Sequence, residues 1–354
     1  MKGHMDDSTL QPDLGNDPAR SGKDALVVDP PPVAAKPRLS PRVIAIARVV
    51  LLALVIAAAS WTLFHNWAEV QRAISHMSWT TVVGATALVA VGIGCGTLSW
   101  QVFVDDLGTP IGIRRGGQIF LVGQLGKYLP GSVWAYVLQL ELGRRAGLAR
   151  TRVFTATVFS LMVAVVGALI VGALALPQLV SEDPSLAWVR WLYVLLPFGL
   201  VCLHPKVLTA VANFGFKLLR RPRPTHPVRR RTVLHSLAWA LGSYCCYGVQ
   251  LWLLVGSDAD LGRRQLLLFI GSMGIAMVAG LFAILLPSGA GVRELVIVTV
   301  LTPLVGVGAA IAYAAVSRVL FTLADLLMAG GAAALAAVAR RREGPYVGDP
   351  GIEV

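Results

Sequence analysis

The sequence predicts an all-α integral membrane protein, a polytopic helical bundle with two segments broken by proline and glycine. Three observations carry that reading. Of the 354 residues, 56% are apolar and only 14% are Asp, Glu, Lys or Arg, whereas a soluble domain carries roughly 25% charged residues. Mean hydropathy is +0.69, and several runs reach the roughly 20 apolar residues that a spanning helix needs. The positive charge, +12 overall, lies mostly between those runs and seldom within them. The composition excludes a secreted disulfide scaffold, a disordered tail protein and most cytosolic enzymes.

Residues 1–42 are polar and include Pro30-Pro31-Pro32, which predicts a disordered cytoplasmic arm. An apolar run that starts this late is not a signal peptide. The transmembrane domain is expected over 43–338, with spans at about 43–64, 80–104, 152–176, 188–203, 232–256 and 309–338. The run at 188–203 is the shortest and contains Pro197. A short cytoplasmic tail, 339–354, follows. The four cysteines, Cys95, Cys202, Cys245 and Cys246, lie in apolar runs without metal-ligand spacing, so buried free thiols are expected. The scattered histidines provide no zinc ligand set, and no metal or cofactor is expected.

Lysine and arginine in the loops set the orientation. With the N-terminus in the cytoplasm, the segments assigned inside hold 23 of them and those assigned outside hold 4. Both termini are then cytoplasmic. The basic run from Arg220 to Arg231 reads as a retention signal beside anionic lipid, so nucleic acid is not an expected partner.

Two apolar regions, 116–140 and 265–306, are interrupted. Pro130 lacks an N–H and should stop a helix near Leu129, with a second half-helix starting at the proline. The segment from Pro287 to Glu294 repeats this grammar. The result is two units of helix, broken segment, helix that enter the membrane from opposite sides. Such an inverted repeat, interrupted at corresponding places, points in transporters to a midplane site. Irregular backbone at that depth implies a polar cavity, and a half-helix N-terminus suits an anion.

The expected head-group residues are therefore Lys127, Pro130, Gly131, Ser132, Pro287, Ser288, Gly289, Gly291 and Arg293, with Tyr128 and Trp134 at the mouth. Tyr136 stands beside them. Arg318 and Asp325 share one face of the last helix. With Glu294 they are expected either to pair across the bundle, Glu294 and Arg293 being the partners, or to line and gate a path. No catalytic residues are assigned. Gly126-Lys127 falls short of a phosphate loop, because Leu121 and Tyr128 stand where glycine and Ser or Thr are needed. Asp105-Asp106 is the one acidic pair that could hold a metal at the cytoplasmic edge.

At two stretches the sequence resembles the lysylphosphatidylglycerol synthase transmembrane-domain family. One is Gly123-Gln-Leu-Gly-Lys-Tyr-Leu-Pro-Gly131, after a basic loop. The other is Leu286-Pro-Ser-Gly-Ala-Gly-Val-Arg-Glu294, which is similar to the family's Pro-Gly-Gly-x-Gly-x-x-Glu motif with Ser288 in place of the first glycine. The likeness covers about residues 43–340. In full-length members this domain is the flippase for aminoacylated phosphatidylglycerol, and a separate soluble domain performs the aminoacyl transfer. Here only about 16 residues follow the last helix. The resemblance therefore implies a stand-alone, flippase-like module without synthase activity, which would move an anionic, aminoacylated or lipid-linked envelope intermediate between leaflets of a bacterial inner membrane. Its implied partners are a phospholipid or lipid-linked substrate and the membrane, with a homo-oligomer or envelope-biosynthesis enzymes as further associations. Two other readings stay open. One is an enzyme acting on polyprenyl phosphate or phospholipid, sensitive at Asp105 and Asp106. The other is a non-transporting membrane partner that acts through its arm and the 217–231 basic run.

Overall fold

The computed structural model describes residues 67–128, 133–182, 190–218, 228–256, 262–283 and 286–343. The expected span at 43–64 and the two terminal segments, 1–42 and all but the first residues of 339–354, lie outside them. Among the described residues the chain is helical and has no strand. A short helix α1 (Trp67–His76) leads to α2 (Trp79–Asp106). Ser78 caps α2, its Oγ accepting the Thr81 N–H at 3.1 Å, as a hydroxyl at that position should. Asp105 then accepts the Ile111 N–H at 3.0 Å at the start of α3 (Gly112–Gln124), where a carboxylate complements the helix dipole. A 3-10 turn, Leu125–Tyr128, tightens the end of α3, and α4 runs Val133–Arg145. The long α5 (Arg150–Glu182) is tied back to α2. The Arg152 guanidinium donates to the Val104 carbonyl at 2.7 Å and to that of Thr109 at 2.5 Å.

Next come α6 (Leu192–Cys202) and α7 (Pro205–Leu218). Eleven residues at 1.5 Å each do not cross a bilayer. Tyr193–Cys202 and Pro205–Val211 reach the required length and apolarity only as a pair, bent by 72°. The 188–203 run is thus half of a broken helix. Then follow α8 (Arg230–Val255), α9 (Arg263–Phe282), a second 3-10 turn (Pro287–Gly289), α10 (Val292–Val305) and α11 (Val307–Glu343).

Among the described residues, five helices are long and apolar enough to cross a membrane: α2, the Arg150–Gln178 part of α5, α8, α9, and the Val307–Val338 part of α11. Large apolar side chains such as Val91, Leu174, Leu234 and Leu327 are exposed on them. A water-facing bundle would not tolerate so many, whereas a lipid-facing one requires them. The cysteines are free, but none is buried: Cys245 is exposed and the other three are half-buried. The helices carry their apolar residues all round, so an apolar run does not mark which side faces the core.

The packing is organised as two halves. Helices α2 and α8 form the most extensive contact, α3 packs on α11, and α9 packs on α5. Exchanging the units α2–α5 and α8–α11 maps these pairs onto one another: α2 with α8, α3 against α11 onto α9 against α5, and α4 against α5 onto α10 against α11. The α2–α8 pair is antiparallel. Ser99 and Ser236 exchange hydroxyl-to-carbonyl hydrogen bonds at 2.9 Å, while Gly92, seven residues earlier, abuts Tyr247, eleven residues later. Two equivalent helices that pack antiparallel require a two-fold axis across them, which is the arrangement expected of an inverted repeat.

Candidate functional site

Both interruptions lie at the centre of this arrangement, and the two 3-10 turns touch each other. Each is enforced by a close backbone approach. A Cβ on Gly126 would stand 2.6 Å from the Ala135 nitrogen and from the Trp134 carbonyl carbon, so the first turn rests on the start of α4. Gly289 has φ +65° and lies against Gly280 of α9, where a Cβ would meet the Gly280 Cα at 2.5 Å. Ser288, at φ 52°, is the only described non-glycine residue with positive φ. Left-handed backbone of this kind ends a helix.

The breaks differ in detail from the sequence expectation. At the first, α3 tightens after Gln124 into the 3-10 turn, and described helical backbone runs to Tyr128, beside the expected stop near Leu129. Pro130, Gly131 and Ser132 lie outside the described residues, and α4 starts at Val133. At the second, the new helix begins at Val292, after Gly291 at φ 88°, and not at Pro287, which opens the 3-10 turn. Helix α9 is itself of spanning length, while α10 has 14 residues.

The charged residues converge here. Asp325 on α11 is 5% exposed and its Oδ2 takes two donors, the Tyr128 hydroxyl at 2.6 Å and the Lys127 ammonium at 2.7 Å. Two turns earlier on the same face of α11, Arg318 Nη1 donates to Glu294 Oε1 at 2.8 Å and to the Ser288 carbonyl at 3.3 Å. Glu294 Oε2 accepts the Gly291 N–H at 2.7 Å. So α11 fastens both breaks, the first through its acid and the second through its base. The anion-attracting N-terminus of α10 already holds an anion, the protein's own Glu294. Pairing of Arg318 with Glu294 is as expected. Asp325 pairs with Lys127, and Arg293 pairs with neither acid.

Arg293 is 6% exposed. Its guanidinium stacks over the Phe321 ring with Cζ 3.7 Å from the centroid. Nη2 reaches Ser317 Oγ at 3.5 Å, and Ser317 in turn donates to Gln250 Oε1 at 3.3 Å. Arg293 Nε and Gln250 Nε2 are buried without an acceptor. Stacking of a desolvated guanidinium returns about 2 kcal/mol, less than the several kcal/mol that an unpaired buried ion loses.

A cavity of about 190 Å³ opens beside these groups, lined among others by Lys127, Tyr136, Ser288, Gly289, Arg293 and Asp325. It has both polar and apolar walls, as a site for an amphipathic ligand would. Trp134, about half exposed, and Tyr128 are not among its lining residues, and neither are Gly291, Glu294 and Arg318. The sequence reading missed Gln250, Ser317 and Phe321. The signal available was a glutamine in an otherwise apolar span and a serine beside Arg318, since polar groups at that depth need partners.

Asp105 and Asp106 stand apart from the cavity. Asp105 is engaged at the start of α3, and Asp106 accepts the Arg229 N–H at 3.4 Å and lies 3.8 Å from its guanidinium. Among the described residues no three His, Cys, Asp or Glu side chains stand close enough to share a metal ion.

Spanning helices, with two interrupted segments that meet beside a charged cavity, define a multi-pass membrane protein. The chain belongs to the family described as the lysylphosphatidylglycerol synthase TM region, whose model matches residues 45–331. No curated protein matches it.

Proposed function

We propose that the protein is a lipid translocase, and not an enzyme, that passes an anionic, aminoacylated or lipid-linked envelope intermediate between leaflets of a bacterial inner membrane. One observation carries this reading: a cavity with polar walls, placed where the two breaks meet inside an apolar helical bundle, with five charged side chains around or behind it. Charges are kept at such depth for a substrate path or for each other, and here one of them, Arg293, has no counter-ion among the described residues. In this reading Arg293 and Lys127 hold the head group, Ser288 and Gly289 let it approach the backbone, and Arg318, Glu294 and Asp325 shape the path. Support for a cytoplasmic location of both termini comes from the 23 to 4 division of basic residues.

The test is leaflet exchange in liposomes with fluorescent phosphatidylglycerol, its lysyl ester and phosphatidylcholine. Wild-type protein is expected to move an anionic or aminoacylated lipid, and the Lys127→Ala/Arg293→Ala variant to lose that movement while staying folded. No exchange of any of the three lipids by folded, oriented protein rejects this reading for phospholipids. The enzyme reading rests on Asp105 and Asp106, whose carboxylates are already engaged by the Ile111 amide and by Arg229.

A further inference from the structure

Charge around the cavity does not balance. Lys127 is matched by Asp325 at 2.7 Å and Arg318 by Glu294 at 2.8 Å. Both pairs are neutral. Arg293 lines the same cavity with no described carboxylate within 4 Å, and its buried Nε–H has no acceptor. Ser317 and Gln250 hold the guanidinium from behind without neutralising it. One positive charge is therefore left over, and it sits on a side chain that is 6% exposed.

We propose that the cavity is a single-charge anion site anchored on Arg293, which takes the monoanionic phosphodiester of a lipid head group and rejects phosphomonoester dianions and diphosphates. That the anion is carried by a lipid rests on the translocase reading; the charge limit rests on the side chains alone. In a low-dielectric site the first negative charge completes the pairing. A second has no partner and faces the carboxylate of Asp325. The space, about 190 Å³, is far above the ~10–15 Å³ that holds one water, enough for one phosphodiester with the apolar walls against its substituents.

The test is calorimetric titration of the full chain in detergent, in metal-free buffer, with dioctanoyl phosphatidylglycerol, dioctanoyl phosphatidic acid, farnesyl diphosphate and dimethyl phosphate. Phosphatidylglycerol is expected to bind equally at pH 6 and pH 8.5. Phosphatidic acid should bind about tenfold more weakly at the higher pH as its second proton leaves. Farnesyl diphosphate should be at least about tenfold weaker than phosphatidylglycerol. Arg293→Gln should reduce phosphatidylglycerol affinity about tenfold or more. Asp325→Asn releases Lys127, leaves the cavity with two excess positive charges, and should improve farnesyl diphosphate binding about tenfold; it decides the matter if Arg293→Gln does not fold. Wild-type affinity for farnesyl diphosphate equal to that for phosphatidylglycerol, or no gain in Asp325→Asn, overturns the charge limit. Dimethyl phosphate binding as tightly as the lipid overturns the lipid assignment. Run beside the liposome assay, the outcomes separate: exchange without monoanion preference rejects this inference and keeps the translocase, and monoanion preference without exchange does the reverse.

Discussion

Glu294 closes two circuits at once, accepting the Gly291 amide at the head of α10 and the Arg318 guanidinium from α11. Glu294→Gln keeps the shape but leaves Arg318 without its counter-ion. Both side chains are about a quarter exposed, so the expected loss is at the low end for a broken ion pair, about 1–3 kcal/mol. Thermal unfolding in detergent should show it, and adding Arg318→Met should recover part of it, because the charge left unpaired is then gone. An unchanged Tm in Glu294→Gln would mean that the pair holds nothing. At this scale the sequence was half legible. Charges inside apolar runs are conspicuous because they are expensive, and that marked Lys127, Arg293, Arg318 and Asp325. Their pairing depends on which helices meet, and this hid the difference between Lys127, which is matched by Asp325, and Arg293, which is not.

The broken segments are built on contacts that admit no side chain. Gly126→Ala would drive a methyl into the backbone at Trp134 and Ala135, and Gly289→Ala adds a clash with Gly280 to a left-handed φ. Neither obstacle is a flexible side chain that can swing away. Each substitution is expected to destabilise by about 2–4 kcal/mol, lowering Tm or the yield of monodisperse protein. Gly84→Ala on α2 meets nothing within 4 Å and should change stability by about 1 kcal/mol or less, in the stabilising direction. Equal behaviour of the three variants would remove the case for a backbone-packed break. That the chain is interrupted near Lys127 and again near Pro287 could be read from Pro and Gly. Where the second helix resumes could not, since Gly289 and Gly291 set that point and not Pro287, and α6 falls short because the chain turns by 72° after Cys202.

For the molecule as a whole, the antiparallel pairing of α2 with α8 is the claim that most constrains topology. Ser99 Oγ and Ser236 Oγ are 2.9 Å apart. In a background free of the four native cysteines, Ser99→Cys/Ser236→Cys is expected to form an intramolecular disulfide on mild oxidation, because the two side chains already point at one another at roughly the reach of a bridge. Mass spectrometry of the digested protein would detect the linked peptides. Their absence, with both thiols remaining reactive, would contradict the packing of the two halves. The repeat was legible as a grammar of helix, interruption, helix, even though the halves share little residue identity. What it could not convey is the exchange of partners, α3 against α11 and α9 against α5, by which each half completes the other.

That exchange is even-handed in shape but not in charge. Helix α11 fastens both breaks with Arg318 and Asp325, while its counterpart α5 has no acidic or basic residue from Val153 to Ser181. Both halves therefore hang from one rod, and a shift of α11 along its axis strains the two fastenings together. In the proposed translocase, a head group crossing such a lopsided interior would meet unequal barriers on entry and exit. Detailed balance forbids this from pumping anything by itself. The higher barrier would then limit entry for traffic from one face and release for traffic from the other.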